Sequence, residues 1–321
     1  MRPLTGAPQG RLDWARDGRD WPNHAASRFV ESAGLRWHVQ VFEPQVGGAS
    51  APVVLLLHGT GAASHSWRDL APLLSQSCRV LAPDLPGHGF TSMPAPHALS
   101  LPGMARAVSG LLRTLDVTPQ IIVGHSAGAA IGAWMCLEDL CAPNTLVGLN
   151  GAWLPFDGLA SQWFSPAAKL LARSGLAARL FSRLGAEPAV VDRLLAGTGS
   201  QIDPAGRRAY ARLVAHPGHV SAALAMMAHW DLRELAAALP RLRPRLLLIA
   251  GERDLTVPAR QSRQVHRQVA GSALQLLPDL GHLAHEERPD LVAALIMAQA
   301  GKPDGSAGPD SAMSIRAAPG P

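Results

Sequence analysis

Short apolar runs alternate with longer amphipathic segments along most of the chain. Six runs are apolar on both faces and bounded by Gly, Pro, Asp or His, which is typical of buried parallel strands. They occupy residues 53–57, 80–82, 120–123, 146–149, 246–250 and 274–277. Helical length and spacing mark residues 64–75, 100–115, 126–140, 258–269 and 289–300. This alternation predicts an α/β fold with a mostly parallel, doubly wound sheet and an antiparallel edge hairpin around residues 37–42.

The alternation breaks over residues 152–239, where helical patterns are interrupted by Pro and Gly and no convincing strand is found. This segment follows the run at 146–149, which is the sixth strand when the two strands of the edge hairpin are counted. We therefore expect it to form a helical lid over the carboxyl edge of the sheet, where open α/β sheets bind ligands. The α/β core would then comprise residues 28–151 and 240–301. We expect residues 1–27 to form an N-terminal arm and residues 302–321 a disordered tail.

Composition narrows the class of protein. A chain of 321 residues with 47% hydrophobic and 17% charged residues buries a large core, which excludes an intrinsically disordered protein. The net charge is +5 and the arginines are dispersed, so we expect no nucleic-acid partner. Three cysteines without a paired motif favour a reducing compartment. With no transmembrane segment or signal-peptide pattern found, we expect a cytoplasmic protein.

One motif carries the strongest chemical signal. Gly124-His-Ser-Ala-Gly128 follows an apolar strand and opens a helix rich in small residues, a context typical of a nucleophile elbow rather than of a helix start without chemistry. We predict Ser126 as the nucleophile and the Ala127 N–H, at the helix N-terminus, as an oxyanion donor. His58-Gly-Thr-Gly61 follows the first central strand, so Thr60 is predicted as the second donor.

A serine nucleophile needs a base to take its proton and an acid to orient that base. Asp254 and His282 each follow a predicted strand, and parallel strands place such residues at the same sheet edge as Ser126. The chain order of serine, acid and histidine is the one expected of this elbow. We therefore predict Asp254 as the acid and His282 as the base, with Glu252 as the alternative acid.

Other residues have competing interpretations. Trp67, His125, Trp153 and Trp230 are predicted to bind substrate, although core packing explains the tryptophans without any function. The spacing of His282 and His285 differs from that of zinc-binding motifs, so we predict no metal and no cofactor. His285, Glu286 and Glu287 are interpreted instead as caps of the final helix. Asp84, in a Pro- and Gly-rich turn, is predicted to bond backbone N–H groups.

Together these motifs resemble those of the α/β-hydrolase superfamily over residues 53–300. More narrowly, the chain resembles the family of magnesium chelatase accessory proteins of bacteriochlorophyll biosynthesis. The motifs that carry this closer resemblance are Asp20-Trp-Pro-Asn23, Ser27-Arg-Phe-Val30, Thr198-Gly-Ser200, Met226-Met-Ala-His-Trp-Asp-Leu232 and Leu280-Gly-His-Leu-Ala-His-Glu-Glu287.

The closer resemblance implies a role around insertion of magnesium into protoporphyrin IX, with magnesium chelatase subunits as partners. It does not imply a reaction, so three hypotheses stay open. The chain is a serine hydrolase, a non-catalytic module that binds a small apolar or porphyrin-like anionic ligand, or a general carboxylesterase outside pigment synthesis. An excess of basic residues in the predicted lid suits an anionic ligand, but a solvated helix face explains it equally.

Overall fold

A computed structural model describes residues 10–155, 178–180, 182–183 and 187–300 of the chain. The predicted tail at 302–321 and a large part of the predicted lid lie outside these residues. Within them the fold follows from a single sheet and the helices that cover its two faces.

The sheet has eight strands in the order β1-β2-β4-β3-β5-β6-β7-β8. The first two strands are antiparallel to their neighbours and form the predicted edge hairpin, whereas all pairings from β4 to β8 are parallel. The predicted fold class and all six inner strands are confirmed. The strands are β1 Ser27–Ser32, β2 Leu35–Phe42, β3 Val53–Leu57, β4 Arg79–Pro83, β5 Ile121–His125, β6 Thr145–Leu149, β7 Arg245–Gly251 and β8 Ala273–Leu277.

The helices of the described residues are α1 Trp14–Asp17, α2 Leu70–Leu74, α3 Leu101–Thr114, α4 Ala127–Leu137, α5 Pro188–Ala196, α6 Pro204–Val214, α7 Pro217–Ala228, α8 Arg233–Ala238, α9 Arg260–Gln268, α10 Ala284–Glu287 and α11 Pro289–Ala300. Two hydrophobic cores form where these helices cover the sheet. Leu55 and Leu57 belong to the core under α3, α4 and α9, whereas Val54 and Leu56 belong to the core under α2 and α11. Because both faces are covered, the inner strands are apolar throughout.

The helix predicted over residues 64–75 is wrong as a continuous element. A 3-10 helix, Ser64–Trp67, precedes the short helix α2. The break falls at Arg68, because Pro72 has no N–H to donate to the Arg68 carbonyl. That carbonyl accepts Nδ2 of Asn23 at 2.9 Å instead. Such bonds offer the backbone an alternative to regular helix pairing. The other four predicted helices are present, with ends shifted by at most three residues.

The described residues between β6 and β7 contain the helices α5, α6, α7 and α8, joined by loops, and no strand. Towards the other end of the chain, Trp21 packs onto the fold ahead of β1: it is 2% exposed, and its ring meets Phe90 edge to face at 5.0 Å. None of the helices in the described ranges is long and apolar enough to cross a membrane.

Asp84 joins three parts of the fold at the start of the turn after β4. Its Oδ2 lies 2.8 Å from His38 Nδ1 on β2 and accepts the Phe90 N–H at 2.9 Å, and its Oδ1 accepts the Ser64 N–H. Burial raises the pKa of this carboxyl, but His38 and the backbone donors outweigh burial and hold it well below its usual range. The predicted role of Asp84 as an acceptor for backbone N–H groups is confirmed.

We expect Asp84→Ala to lower the free energy of unfolding by about 3–5 kcal/mol at pH 7, because the variant leaves buried donors without an acceptor. Urea unfolding measures this change. Asp279→Ala is the matched control, since Asp279 pairs with Arg253 on the surface and such pairs contribute at most about 1 kcal/mol. Equal losses in the two variants would contradict the assignment of Asp84 as a hub of the fold.

Candidate active site

Ser126 lies at the turn between β5 and α4 in a strained backbone conformation. Its φ is 52° and its ψ is −117°, a region that costs a non-glycine residue about 1–3 kcal/mol. Glycines on both sides permit the turn: a methyl group on Gly124 would overlap the backbone of Ala129, and one on Gly128 would overlap the Leu57 carbonyl oxygen. The close contact between helix and strand therefore depends on both glycines, and it presents Ser126 at the carboxyl end of β5.

The structure brings Asp254 and His282 together at the same edge of the sheet. Asp254 Oδ2 lies 2.7 Å from His282 Nδ1, and the two side chains are 0% and 7% exposed. A carboxylate at this distance fixes the ring proton on Nδ1, because the carboxylate can only accept. His282 Nε2 is then free to accept a proton from a nucleophile. Glu252, the alternative acid, instead pairs with Arg263 at the surface.

Three further donors hold the Asp254 carboxylate. Oδ1 accepts the N–H groups of Thr256 at 2.7 Å and Val257 at 2.8 Å, and Oδ2 also accepts Nδ2 of Asn150 at 2.8 Å. With His282, four hydrogen bonds satisfy this buried charge. Asn150 is a member of this site that the sequence does not single out, although its position directly after β6, next to the strand that carries Asp254, was an available signal.

His125 links the serine turn to His282. Its Nε2 donates to the carbonyl oxygen of His282 at 2.9 Å, and the two rings lie 4.6 Å apart. The Ser126 hydroxyl makes no hydrogen bond to any described residue. The hydrogen bond between a catalytic hydroxyl and its base is often long in enzymes without substrate, and it tightens when substrate binds. Ser126 is therefore the direct neighbour in sequence of His125, whose side chain contacts the loop that carries His282.

The loop after β3 lies directly against the serine turn. A methyl group on Gly59 would come within 3.0 Å of Ser126 Cβ. His58 fixes this loop, because its Nε2 accepts the Leu85 N–H at 2.8 Å and its Nδ1 donates to the Gly59 carbonyl at 2.8 Å. Within the described ranges, the backbone N–H groups of Thr60 and Ala127 make no hydrogen bond, so both are available to an oxyanion.

Burial corrects the predicted substrate-binding residues. Trp67 and Trp153 are 0% exposed and His125 is 2% exposed, so these side chains cannot touch a substrate in this conformation. Trp67 packs under α2 and Trp153 packs on the opposite face of the sheet. Only Trp230, which is half-buried against the core, keeps accessible surface.

The interpretation of His285, Glu286 and Glu287 as caps of the final helix is wrong. Glu286 is buried and pairs with Arg68, and its Oε1 accepts the hydroxyl groups of Ser66 at 2.6 Å and Tyr210 at 2.8 Å. Tyr210 lies on α6, so this network ties the inserted helices to the loop that carries His282. Sequence spacing gives no signal for it, because its members are far apart in the chain.

Among the described residues, neither a group of metal ligands nor a surface cleft takes part in this geometry. No group of three His, Cys, Asp or Glu side chains in the described ranges could hold a metal ion. A cleft of about 560 Å³ opens at the C-terminal end of α4, between Trp134 and Arg241. Ser126 precedes the other end of this 11-residue helix, roughly 16 Å away, so the cleft is separate from the turn that carries Ser126.

Comparison with known proteins assigns the fold. Residues 52–289 match the family described as alpha/beta hydrolase fold. The chain belongs to the α/β-hydrolase family. This α/β hydrolase is 40% identical to the "Magnesium-chelatase 30 kDa subunit" of Rhodobacter capsulatus, over 87% of this chain and 95% of that protein.

Two solved structures agree with this assignment. A hydrolase from Pseudomonas aeruginosa is 28% identical with a TM-score of 0.65, covering 86% of this chain and 98% of its own. An alpha/beta hydrolase fold protein from Burkholderia ambifaria is 22% identical with a TM-score of 0.71, covering 85% of this chain and 97% of its own. The second likeness shows the fold alone.

Buried histidines surround the site of this α/β hydrolase. Burial lowers the pKa of six of them, to about 4 for His219 and about 3 for His285, the others being His58, His65, His88 and His125. In the unfolded chain these rings take up protons below about pH 6.5. The stabilisation that comes from keeping these rings neutral is therefore fully present above this pH, and it is lost as the pH falls towards the pKa values of the folded protein.

We expect the free energy of unfolding to fall between pH 6.5 and pH 4.5, by up to about 1.4 kcal/mol per pH unit for each buried histidine. Urea unfolding at several pH values measures the slope. His285→Gln should make the slope shallower, whereas His97→Gln, which changes an exposed ring, should leave it unchanged. A stability that stays flat down to pH 4.5 would contradict this account.

Proposed function

We propose that this α/β hydrolase is a serine hydrolase in which Ser126 is the nucleophile, His282 the base and Asp254 the acid. The observation that carries the proposal is the hydrogen bond of 2.7 Å between Asp254 and His282 Nδ1. It leaves Nε2 as the basic nitrogen at the sheet edge where Ser126 lies. The strained serine turn and the free N–H groups of Thr60 and Ala127 support the same chemistry.

The reaction proceeds in two matched halves. Ser126 Oγ bonds to the carbonyl carbon of an ester while its proton passes to His282 Nε2. The carbonyl electron pair moves onto oxygen, which the N–H groups of Thr60 and Ala127 stabilise. Cleavage of the bond to the alkoxide returns the carbonyl, and the alkoxide leaves with the proton from His282. Water repeats these steps on the acyl-enzyme and releases a carboxylic acid and free Ser126.

Ser126→Ala should lower the rate of ester hydrolysis by about 10⁴ to 10⁶ and abolish labelling by a fluorophosphonate probe, because both need the serine oxygen. Turnover of a chromogenic ester and gel-based labelling measure the two effects. Ser77→Ala, at the amino edge of the sheet before β4, should behave as the wild type. Full labelling of Ser126→Ala would refute the proposed nucleophile.

We further propose that the reaction serves magnesium insertion into protoporphyrin IX, with magnesium chelatase subunits as partners. The 40% identity to a protein named as a magnesium-chelatase subunit supports this role, since the match spans 95% of that protein. Protoporphyrin IX is an apolar macrocycle with two carboxylates, so it fits the expected apolar and anionic ligand. The inserted helices would form the lid that holds it, with Trp230 stacking on the ring.

We expect protoporphyrin IX to quench tryptophan fluorescence of the full chain saturably at micromolar concentrations. Trp230→Phe should reduce the quenching amplitude and weaken binding, because it removes the partly exposed indole at the proposed pocket. Trp14→Phe, a change of an indole that packs on Phe29 and Phe90, is the control and should keep the affinity. Quenching that does not saturate would contradict porphyrin binding.

Complementation separates binding from catalysis. In a bacteriochlorophyll-producing strain that lacks its own relative, the wild-type chain should restore pigment. If Ser126→Ala also restores pigment in full, porphyrin or subunit binding suffices for the role, and the hydrolytic step in the pathway is refuted. If the wild type itself fails while retaining esterase activity, the chain is a general carboxylesterase outside pigment synthesis.

A further inference from the structure

We propose that Thr198, Gly199 and Ser200 form a clamp that positions the acid and the base of the triad. The three residues connect α5 to α6 within the inserted segment, far in sequence from Asp254 and His282. The clamp's effect on catalysis depends on the proposed hydrolase function, but its effect on the geometry of the acid and base does not.

On one side the clamp binds the loop that carries the base. The Thr198 carbonyl accepts the N–H of His282 at 3.0 Å, and the Ser200 hydroxyl accepts the N–H of Leu283 at 2.8 Å. Gly281 packs so closely against this segment that a methyl group on it would overlap Gly199 and Ser200. Two consecutive backbone donors of the base loop are therefore satisfied by the inserted segment.

On the other side the clamp contacts the loop that carries the acid. The same Thr198 carbonyl accepts the N–H of Leu255, the residue after Asp254, at 3.4 Å. Gly199 has a φ of +75° and lies against the Arg253 carbonyl, which a methyl group at this position would overlap. One carbonyl oxygen therefore bonds to the loops of both the acid and the base.

These contacts carry a consequence for the triad. The hydrogen bond between Asp254 and His282 joins two loops that follow different strands, so its geometry depends on how closely the loops approach. A displacement of about 1 Å at a catalytic group costs up to about 10²-fold in rate. Because the clamp connects α5 to α6, it also couples the position of these two helices to the alignment of the triad. Thr198, Gly199 and Ser200 are thus positioning residues.

Gly199→Ala tests the clamp directly, because the added methyl group forces the segment away from the Arg253 carbonyl. We expect kcat for ester hydrolysis to fall about tenfold to a hundredfold with KM nearly unchanged. We also expect the downfield proton NMR signal of His282 Nδ1–H, assigned by its loss in His282→Ala, to broaden or disappear. Circular dichroism monitors retention of the fold. Gly197→Ala is the control, since its φ of −62° suits alanine and its nearest neighbours lie 3.3 Å or more from the added carbon.

Ser200→Ala keeps the test valid if Gly199→Ala does not fold. This variant removes only the acceptor of the Leu283 N–H, so amide exchange at Leu283 should accelerate and kcat should fall with KM nearly unchanged. Wild-type kcat together with an intact Nδ1–H signal in both folded variants would overturn the clamp. Failure of the hydrolase proposal is distinguishable: Ser126→Ala would keep its activity, whereas the NMR signal would still respond to Gly199→Ala.

Discussion

The arrangement of the site depends on a buried carboxylate that must be satisfied from several directions at once. A charge without solvent is tolerated only where donors meet its oxygens, and Asp254 receives donors from its own loop, from Asn150 after β6 and from His282 after β8. These groups reach one point only if β6, β7 and β8 are adjacent and in register, as the parallel pairings place them. Satisfying one charge therefore fixes the relative positions of three strand ends.

Local patterns were sufficient to predict much of this molecule. Each inner strand can be predicted from its own segment, because a run that is apolar on both faces must be covered on both faces. The serine turn is equally local, since Gly124 and Gly128 are required by contacts within one strand-to-helix connection and with the neighbouring β3. The prediction that Asp254 and His282 lie at one edge followed from the parallel arrangement rather than from any contact visible in the sequence.

The failures share a physical cause, which is that long-range contacts decide the outcome. The helix expected from residue 64 breaks before Pro72, where the Arg68 carbonyl accepts a hydrogen bond from the distant Asn23 side chain. The Glu286 side chain binds the distant Arg68 and Tyr210 and does not cap the final helix. Trp67 and Trp153 follow strand ends, as pocket residues often do, yet both are turned into the cores. A single sequence does not show which face of the sheet a loop covers. It also does not show which distant residue a polar side chain binds.

The packing of Trp21 bears on where the folded unit begins. Its indole fills a gap beside Phe90, and its nitrogen supplies a partner for Ser64, which Asp84 also holds. A recombinant product trimmed to start at β1 would leave an open slot lined with aromatic surface and a hydroxyl group without its donor. Such a product would be prone to self-association, so expression boundaries are best drawn upstream of this tryptophan, even though the matched family region begins only at residue 52.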